Sequence, residues 1–553
     1  MNQLQRHKKT PVAGYIRVAI LLINLLPLVV FAAGSEKQVV ISEVIVKRDN
    51  IFDANAVSGQ DTQQQTARLF AQGINRFHKT TLESVILREA AVKPGDTISV
   101  AEVEEIERRL RDLGIFASVE VQLVTGDAGV ELHIATRDSF SIVAGVNGSF
   151  LGGVGNVGLT FGEKNVFGTG NVLRFSTSRN STDGFRGSLS FTDLHFFEKP
   201  WQAQYAVGRT SDGDFFGVGL SDSFRSLGDG REWSVVLDYA EDDRDFYLDG
   251  DVVFRLPEDR SRLIARHVWR TGESNRFFRK GLEASFRQSD YSSSIGMFAD
   301  ITQPDDTRRL YLGGLLGADR ISSFKKVQGL DTLSFVQDVR LGYIAEIRLG
   351  VNLVDDFNTT EDTRTDPEIG IQLDNAMTIG EHSLLRTTLS GNAIFEETGD
   401  EAWNATARLK AYNTRIKNTT LAFNADYTTG EDGSELPLQL TLGENNGLRG
   451  YDLRQFQGRQ RLRMNLEARY YSGWKLGILD VGIIGFADSG WIAERGDSSI
   501  FFNRAVGMGL RLASNSLLGS RVIRIDLAFP LDAPEGDSAD LSLSAAVGQV
   551  FRF

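Results

Sequence analysis

From Asp138 to its C-terminus the chain alternates apolar and polar residues at every second position. The alternation runs in segments of about ten residues separated by Gly, Asp, Asn and Ser. Examples are Phe140 to Phe150, Val172 to Ser178, Gln202 to Arg209, Glu232 to Tyr239, Leu263 to Trp269, Lys280 to Gln288, Ala402 to Tyr412, Leu479 to Asp488, Arg521 to Phe529 and Leu541 to Phe553. A period of two places one apolar and one polar face on each segment, which is the pattern of a strand. No convincing amphipathic helix interrupts this region. So many strands must dispose of their edges, and closing the sheet into a barrel does so. Strands of ~9–11 residues with opposite faces suit a barrel that turns its apolar side to lipid. A soluble propeller or a giant sandwich is the alternative, and a propeller would show a repeat of fixed period, of which none is visible.

Composition narrows the classes further. The 553 residues carry a net charge of −13 and a pI of about 5.2, so there is no general basic footprint for nucleic acid. There is no cysteine, which excludes a disulfide framework and cysteine-ligated zinc. Only one apolar run approaches a helical span, at the extreme N-terminus. There Arg6, His7, Lys8, Lys9 and Arg17 precede the run from Val18 to Phe31, and Ala32-Ala33-Gly34 follows. This order predicts a secretory signal peptide over residues 1–33. A single anchoring helix is the alternative, for which the run is short.

Residues 34–137 predict a small α/β domain. Gln38 to Lys47 reads as a buried strand. Thr62 to Phe77 forms an imperfect helical stripe, and Thr80 to Ala91 a better one with Thr81 as its N-cap. Ser99 to Leu113 is a strong helix, with Ser99 and Glu102 as a capping box and Gly114 as its stop. Two strands follow, Ala117 to Thr125 and Gly129 to Thr136. The order strand–helix–helix–strand–strand, with Thr81, Arg88, Pro94-Gly95-Asp96, Leu110-Arg111 and Leu113-Gly114-Ile115-Phe116, resembles a POTRA domain. Residues 53–79 add one helix that a minimal domain of that family lacks. The resemblance implies a non-enzymatic module whose sheet edge accepts extended segments of client proteins.

One loop stands apart. Between the strands Thr419 to Thr428 and Arg461 to Tyr471 lies a connection, residues 429–460, far longer than a hairpin needs. It holds Gly447-Leu448-Arg449-Gly450-Tyr451, and the pattern suggests a loop that folds back to place Arg449. Two other stretches accompany it: Gly162 to Gly170, with Asn165, Phe167, Gly168 and Gly170, and Gly485-Phe486-Ala487-Asp488-Ser489-Gly490. Gly548, Phe551 and Phe553 end the chain like the C-terminal signal of bacterial outer-membrane barrels. Together with the N-terminal domain these motifs resemble the BamA/TamA-type outer-membrane assembly superfamily, the bacterial surface antigen family, which includes two-partner secretion transporters.

That resemblance implies a barrel over residues 138–553 with sixteen strands, and an inward-folded Arg449 paired with Asp488 in the lumen, with Glu467 placed to join them. It also implies an early-barrel motif at Asn165, Phe167, Gly168 and Gly170. Parity is consistent with an outward Arg449 loop, because five alternating segments follow it. More candidates precede it than the eleven that sixteen strands require. The implied partners are client outer-membrane or secreted polypeptides, outer-membrane lipid and accessory periplasmic factors, with no cofactor. The implied location is the outer membrane, with the N-terminal domain in the periplasm. The first strand, weakened by Gly145 and Gly148, would close on the last, Leu541 to Phe553. A secretion pore for one client, or a passive pore or structural barrel, are the alternatives.

Enzyme chemistry finds little support. His133, His195, His267 and His382 are scattered, and there is no Gly-x-Ser-x-Gly elbow. Gly536-Asp537-Ser538 sits in an acidic turn. Asp242, Asp243, Asp245, Asp249 and Asp251 lack the spacing of a calcium loop and read, with their neighbours, as an outer loop.

Overall fold

A computed structural model describes residues 38–51 and 78–552, apart from short internal stretches, the longest being 297–303, 514–521 and 533–540. The signal segment, the helix expected at Thr62 to Phe77, residues 536–538 and Phe553 lie outside the described residues.

The N-terminal unit orders its elements as β1 (Gln38–Asp49), α1 (Glu83–Ala90), β2 (Thr97–Ser99), α2 (Val100–Asp112), β3 (Phe116–Gly126) and β4 (Gly129–Asp138). The sheet order is β2-β1-β4-β3, with β1 and β4 parallel. Period-3.6 stripes on both helices supply Ile86, Ala90, Ile106 and Leu110, which pack on Ile41, Val121, Leu132 and Ile134 of the sheet. Burying each large aliphatic side chain stabilises the unit by about 1.5–3 kcal/mol. The capping box of α2 is formed, with Ser99 and Glu102 bonding reciprocally. The expected cap of α1 is not. Leu82 holds that position with no side-chain bond, because Thr81 spends its hydroxyl and amide on Asp138 at 3.0 and 2.8 Å.

Beyond β4, twenty strands among the described residues close one antiparallel barrel, from Ile142–Leu151 to Ser542–Val547. A two-residue strand, Ile295–Gly296, pairs beside it. The expectation of sixteen strands is therefore corrected to twenty. The surplus segments before the Arg449 loop each find wall partners on both sides, so they widen the barrel instead of forming hairpins above it. Fifteen strands precede that loop and five follow it. It is thus the eighth far-end loop, not the sixth, although it still follows an odd strand. The N-terminal unit and the last strand's end share the near end.

Alternation sorts the wall. Val157, Leu159, Phe161, Leu282, Leu349, Leu466 and Met508 are exposed on the outside. A continuous apolar exterior of this kind is a lipid-facing surface. The acidic stretch 241–251, expected as a loop, instead continues strands seven (Arg231–Leu248) and eight (Asp251–Glu273) to a tight turn. Asp249 and Gly250 make that turn at φ +51° and +89°. Arg255 offsets the charge, 3.3 Å from Asp243 and 2.7 Å from Asp245.

The closing pair differs from the rest of the wall. Strand one, Ile142–Leu151, pairs with strand two, Val154–Val166, along its whole length. Strand twenty meets strand one at a single position, Ala545 opposite Phe150. The last strand was expected to reach Phe553. It stops at Val547 because Gly548 turns the backbone at φ +110° and sends the tail into the lumen.

Candidate functional site

The far-end loop enters the barrel as a small hairpin, Leu440–Leu442 against Phe456–Gly458. Leu442, Leu448 and Tyr451 pack with Ala505 of the wall, and Phe456 and Ile492 flank them. The Tyr451 hydroxyl donates to the carbonyls of Arg504 and Asp532 at 2.9 and 3.0 Å. Gly450 turns at φ +91°, and a Cβ there would lie 3.2 Å from that of Ala528, so only glycine brings the loop this close. The apolar cluster thus delivers Arg449, fully buried, to the polar wall of strands sixteen to nineteen.

There Arg449 grips Asp488 at two points, Nε to Oδ2 at 2.7 Å and Nη2 to Oδ1 at 2.9 Å. Its Nη1 stands 2.9 Å from Glu467 and 3.7 Å from Asp526, and its guanidinium lies 3.5 Å above the Phe486 ring. Asn465 bridges the loop and the wall, with its Nδ2 2.7 Å from both the Gly447 carbonyl and Asp488. Strand sixteen, Gln460–Leu476, presents Arg463, Asn465, Glu467 and Arg469 on one face. Opposite them stand Phe486 and Asp488 of strand seventeen, Leu479–Ala493.

The cluster continues toward the near end. Arg469 Nε donates to Glu467 at 2.8 Å, so one carboxylate holds an arginine from the loop and another that reaches the tail. Arg469 also donates to the carbonyls of Leu330 and Phe551, and its guanidinium lies 4.9 Å from the Phe551 ring. Arg511 and Arg524 bind Asp526 at 2.6 and 2.9 Å. Four buried arginines, 449, 469, 511 and 524, are matched by four carboxylates, 331, 467, 488 and 526. Such balance offsets the desolvation of burying them. The near-end turn Gly329 to Leu333 and the tail residue Phe551 meet Tyr412, Leu384 and Ala422 in an apolar cluster inside the lumen. Ordered segments therefore fill the barrel from both ends.

The early-barrel motif does different work. Asn165 is buried, and its Nδ2 donates to Thr81 Oγ1 while its Oδ1 accepts from Gly170 N, both at 2.8 Å. Leu82 N donates to the Gly168 carbonyl at 2.8 Å. Gly168 holds φ +78°, and a Cβ there would meet the Thr80 carbonyl at 2.6 Å. Asp138, where β4 passes to the barrel, receives His78 at 2.7 Å as well as Thr81. Phe167 stays exposed at the turn. Residues 71–137 of this unit match the family model for POTRA, "Surface antigen variable number repeat".

The chain carries a POTRA domain.

The POTRA domain rests on the near-end turns of the barrel. Burial acts to raise the Glu89 carboxyl, but His195 at 3.6 Å and Arg225 at 3.4 Å outweigh it and hold the group below its usual 4.5. Arg111 reaches Asp338 at 3.2 Å, and Arg108 lies 3.9 Å above Phe324. No curated protein sequence matches the chain. It is similar in chain path to "CdiB from Escherichia coli", at 11% identity, 97% coverage of both chains and TM-score 0.45. It is also similar to "CdiB from Acinetobacter baumannii", at 11% identity, 97% and 98% coverage and TM-score 0.42. BamA from Haemophilus ducreyi lacking POTRA domains 1-3 gives 13% identity, covers 91% of this chain and 84% of its own, and scores 0.37.

Among the expected residues, the structure joins Arg449, Asp488 and Glu467, and places Gly450 and Tyr451 in the turn that carries the arginine. It puts Asn165, Gly168 and Gly170 at the POTRA junction, far from that cluster. Sequence reasoning missed Asn465, Arg469, Arg511 and Asp526. The polar face of strand sixteen was the available signal. Nothing in the sequence announced Leu330 and Asp331.

Proposed function

We propose that this protein sits in the outer membrane with its POTRA domain in the periplasm, and assists the insertion, assembly or translocation of client polypeptides. The seam carries the proposal: strand one pairs fully on one side and at one position on the other. Its free edge offers N–H and C=O groups to an extended segment, as does the outer edge of β3, which has no strand partner among the described residues. A client strand added there is held by backbone hydrogen bonds and needs no nucleotide. The buried loop keeps the adjacent wall rigid while the seam parts. The ordered plugs from both ends argue against a passive pore.

The test uses the absence of native cysteine. F150C/A545C places two thiols at directly opposed positions, within ~5.5 Å between Cβ atoms. With the disulfide formed, client proteins should fall in the outer-membrane or secreted fractions, and reduction should restore them. Unchanged client levels with complete crosslinking would remove seam opening. Loss of several barrel proteins on depletion marks an assembly factor, and loss of one secreted protein marks a dedicated translocator.

A further inference from the structure

Behind the open edge of strand one lies a lumenal cavity of about 680 Å³. Its wall holds four guanidinium groups, Arg174, Arg463, Arg524 and Arg552, with Ser149 of strand one and one carboxylate, Glu444. Glu444 is turned to the Gly152 amide at 2.8 Å. Arg524 is committed to Asp526. Arg463 stands 3.8 Å from Asp426, and its Nε is buried without a hydrogen-bond partner. Arg174 and Arg552 have no carboxylate partner among the described residues. The cavity is therefore short of negative charge, with Arg174 half-buried and Arg552 exposed at its wall.

Register ties the cavity to the edge. Phe150, Phe161 and Phe175 are exposed on the outer surface, so the alternate positions Ser149, Gly162 and Arg174 face the lumen. Val143 pairs with Gly162, and Gly162 with Arg174, which puts Arg174 in the row of Val143. Gly162 has no side chain to stand between them. A strand added to the open edge would set its lumen-facing residue in the same row, about three strand spacings of ~4.8 Å from Arg174. The chain's own tail fits this place poorly. Extended in the Ala545–Phe150 register it would bring Arg552 opposite Val143, a cation into a row that already ends in one.

We propose that the edge of strand one takes extended polypeptides carrying Asp or Glu at alternate, lumen-facing positions, whose carboxylates enter the arginine-lined cavity. This rests on the seam function proposed above and names the class of segment it selects. Backbone pairing supplies the grip, and charge complementarity supplies the choice.

The test uses the full-length protein in detergent and photo-crosslinkable peptides of about ten residues, identical except for Glu, Gln or Lys at alternate positions. The Glu peptide should crosslink to strand one and bind about tenfold more tightly than the Gln peptide, with the Lys peptide weakest. R174E/R552E should reverse that order while the barrel remains folded by its heat-dependent gel shift. Equal binding of all three peptides would overturn the acidic preference and leave the seam reading standing. No crosslink to strand one from any peptide would overturn both. Displacement of the Glu peptide by anionic phospholipid that itself crosslinks to the cavity wall would make this a headgroup site and end the proposal.

Discussion

Two stretches of the same wall are held in opposite ways. Strand sixteen meets strand seventeen at fifteen paired positions and carries Asn465, Glu467 and Arg469 into a buried charge cluster. Four strands on, strand twenty meets strand one at one position. The difference teaches where this barrel can yield. Breaking the first region means exposing a sheet ladder and separating buried charges, while the second offers one rung. A rigid flank beside a weak seam confines opening to the seam.

The strongest way to break this contrast is to unlock the rigid flank. Arg449→Ala leaves Asp488 and Glu467 buried without their shared cation, and should cost about 3–5 kcal/mol. Asp488→Ala should cost a similar amount, and the double variant less than the sum, because the pair acts as a unit. Heat-dependent gel mobility measures stability, and client levels measure activity, which should fall although the barrel still inserts. Full activity in both single variants would remove the loop-lock role.

A second variant works on the tail. Phe551→Ala empties its place beside Tyr412 and should cost about 3 kcal/mol. Carboxypeptidase should then trim the chain faster than in the wild type. Equal trimming would show that Arg469 alone retains the tail.

The POTRA junction sharpens the comparison from outside the barrel. Asp138→Ala strips the partners from His78 and the Thr81 amide and hydroxyl, a loss of about 1–3 kcal/mol. Limited proteolysis between the POTRA domain and strand one should accelerate while the barrel's heat stability stays unchanged.

The smallest effect is one of pH. Glu89 is held below 4.5 in the folded state, so its contribution is complete above that ordinary value. It is lost as pH falls through the lowered value. Junction proteolysis should therefore rise in acid below about 4.5, and Glu89→Gln should flatten that rise. An unchanged acid response in Glu89→Gln would place the sensitivity elsewhere.

Periodicity alone determined a small α/β unit followed by a long run of two-faced strands, and the number of edges those strands would expose pointed to closure. Arg449 stood out locally, as a glycine-flanked arginine in a long loop, whereas its pairing with Asp488, with Glu467 beside them, followed from the family resemblance of the motifs. Even the parity of the Arg449 loop was legible from the five segments after it. The sequence did not determine how many strands share the wall, because a hairpin above the rim and a strand within it alternate alike. Nor did it show that Thr81 and Asn165 serve the POTRA junction, or that Leu330 and Phe551 leave the strand pattern for the lumen. Those assignments depend on which partners are near in space. Only the closed barrel brings strand twenty to strand one, limits their pairing to Ala545, and sets four arginines behind the edge left open.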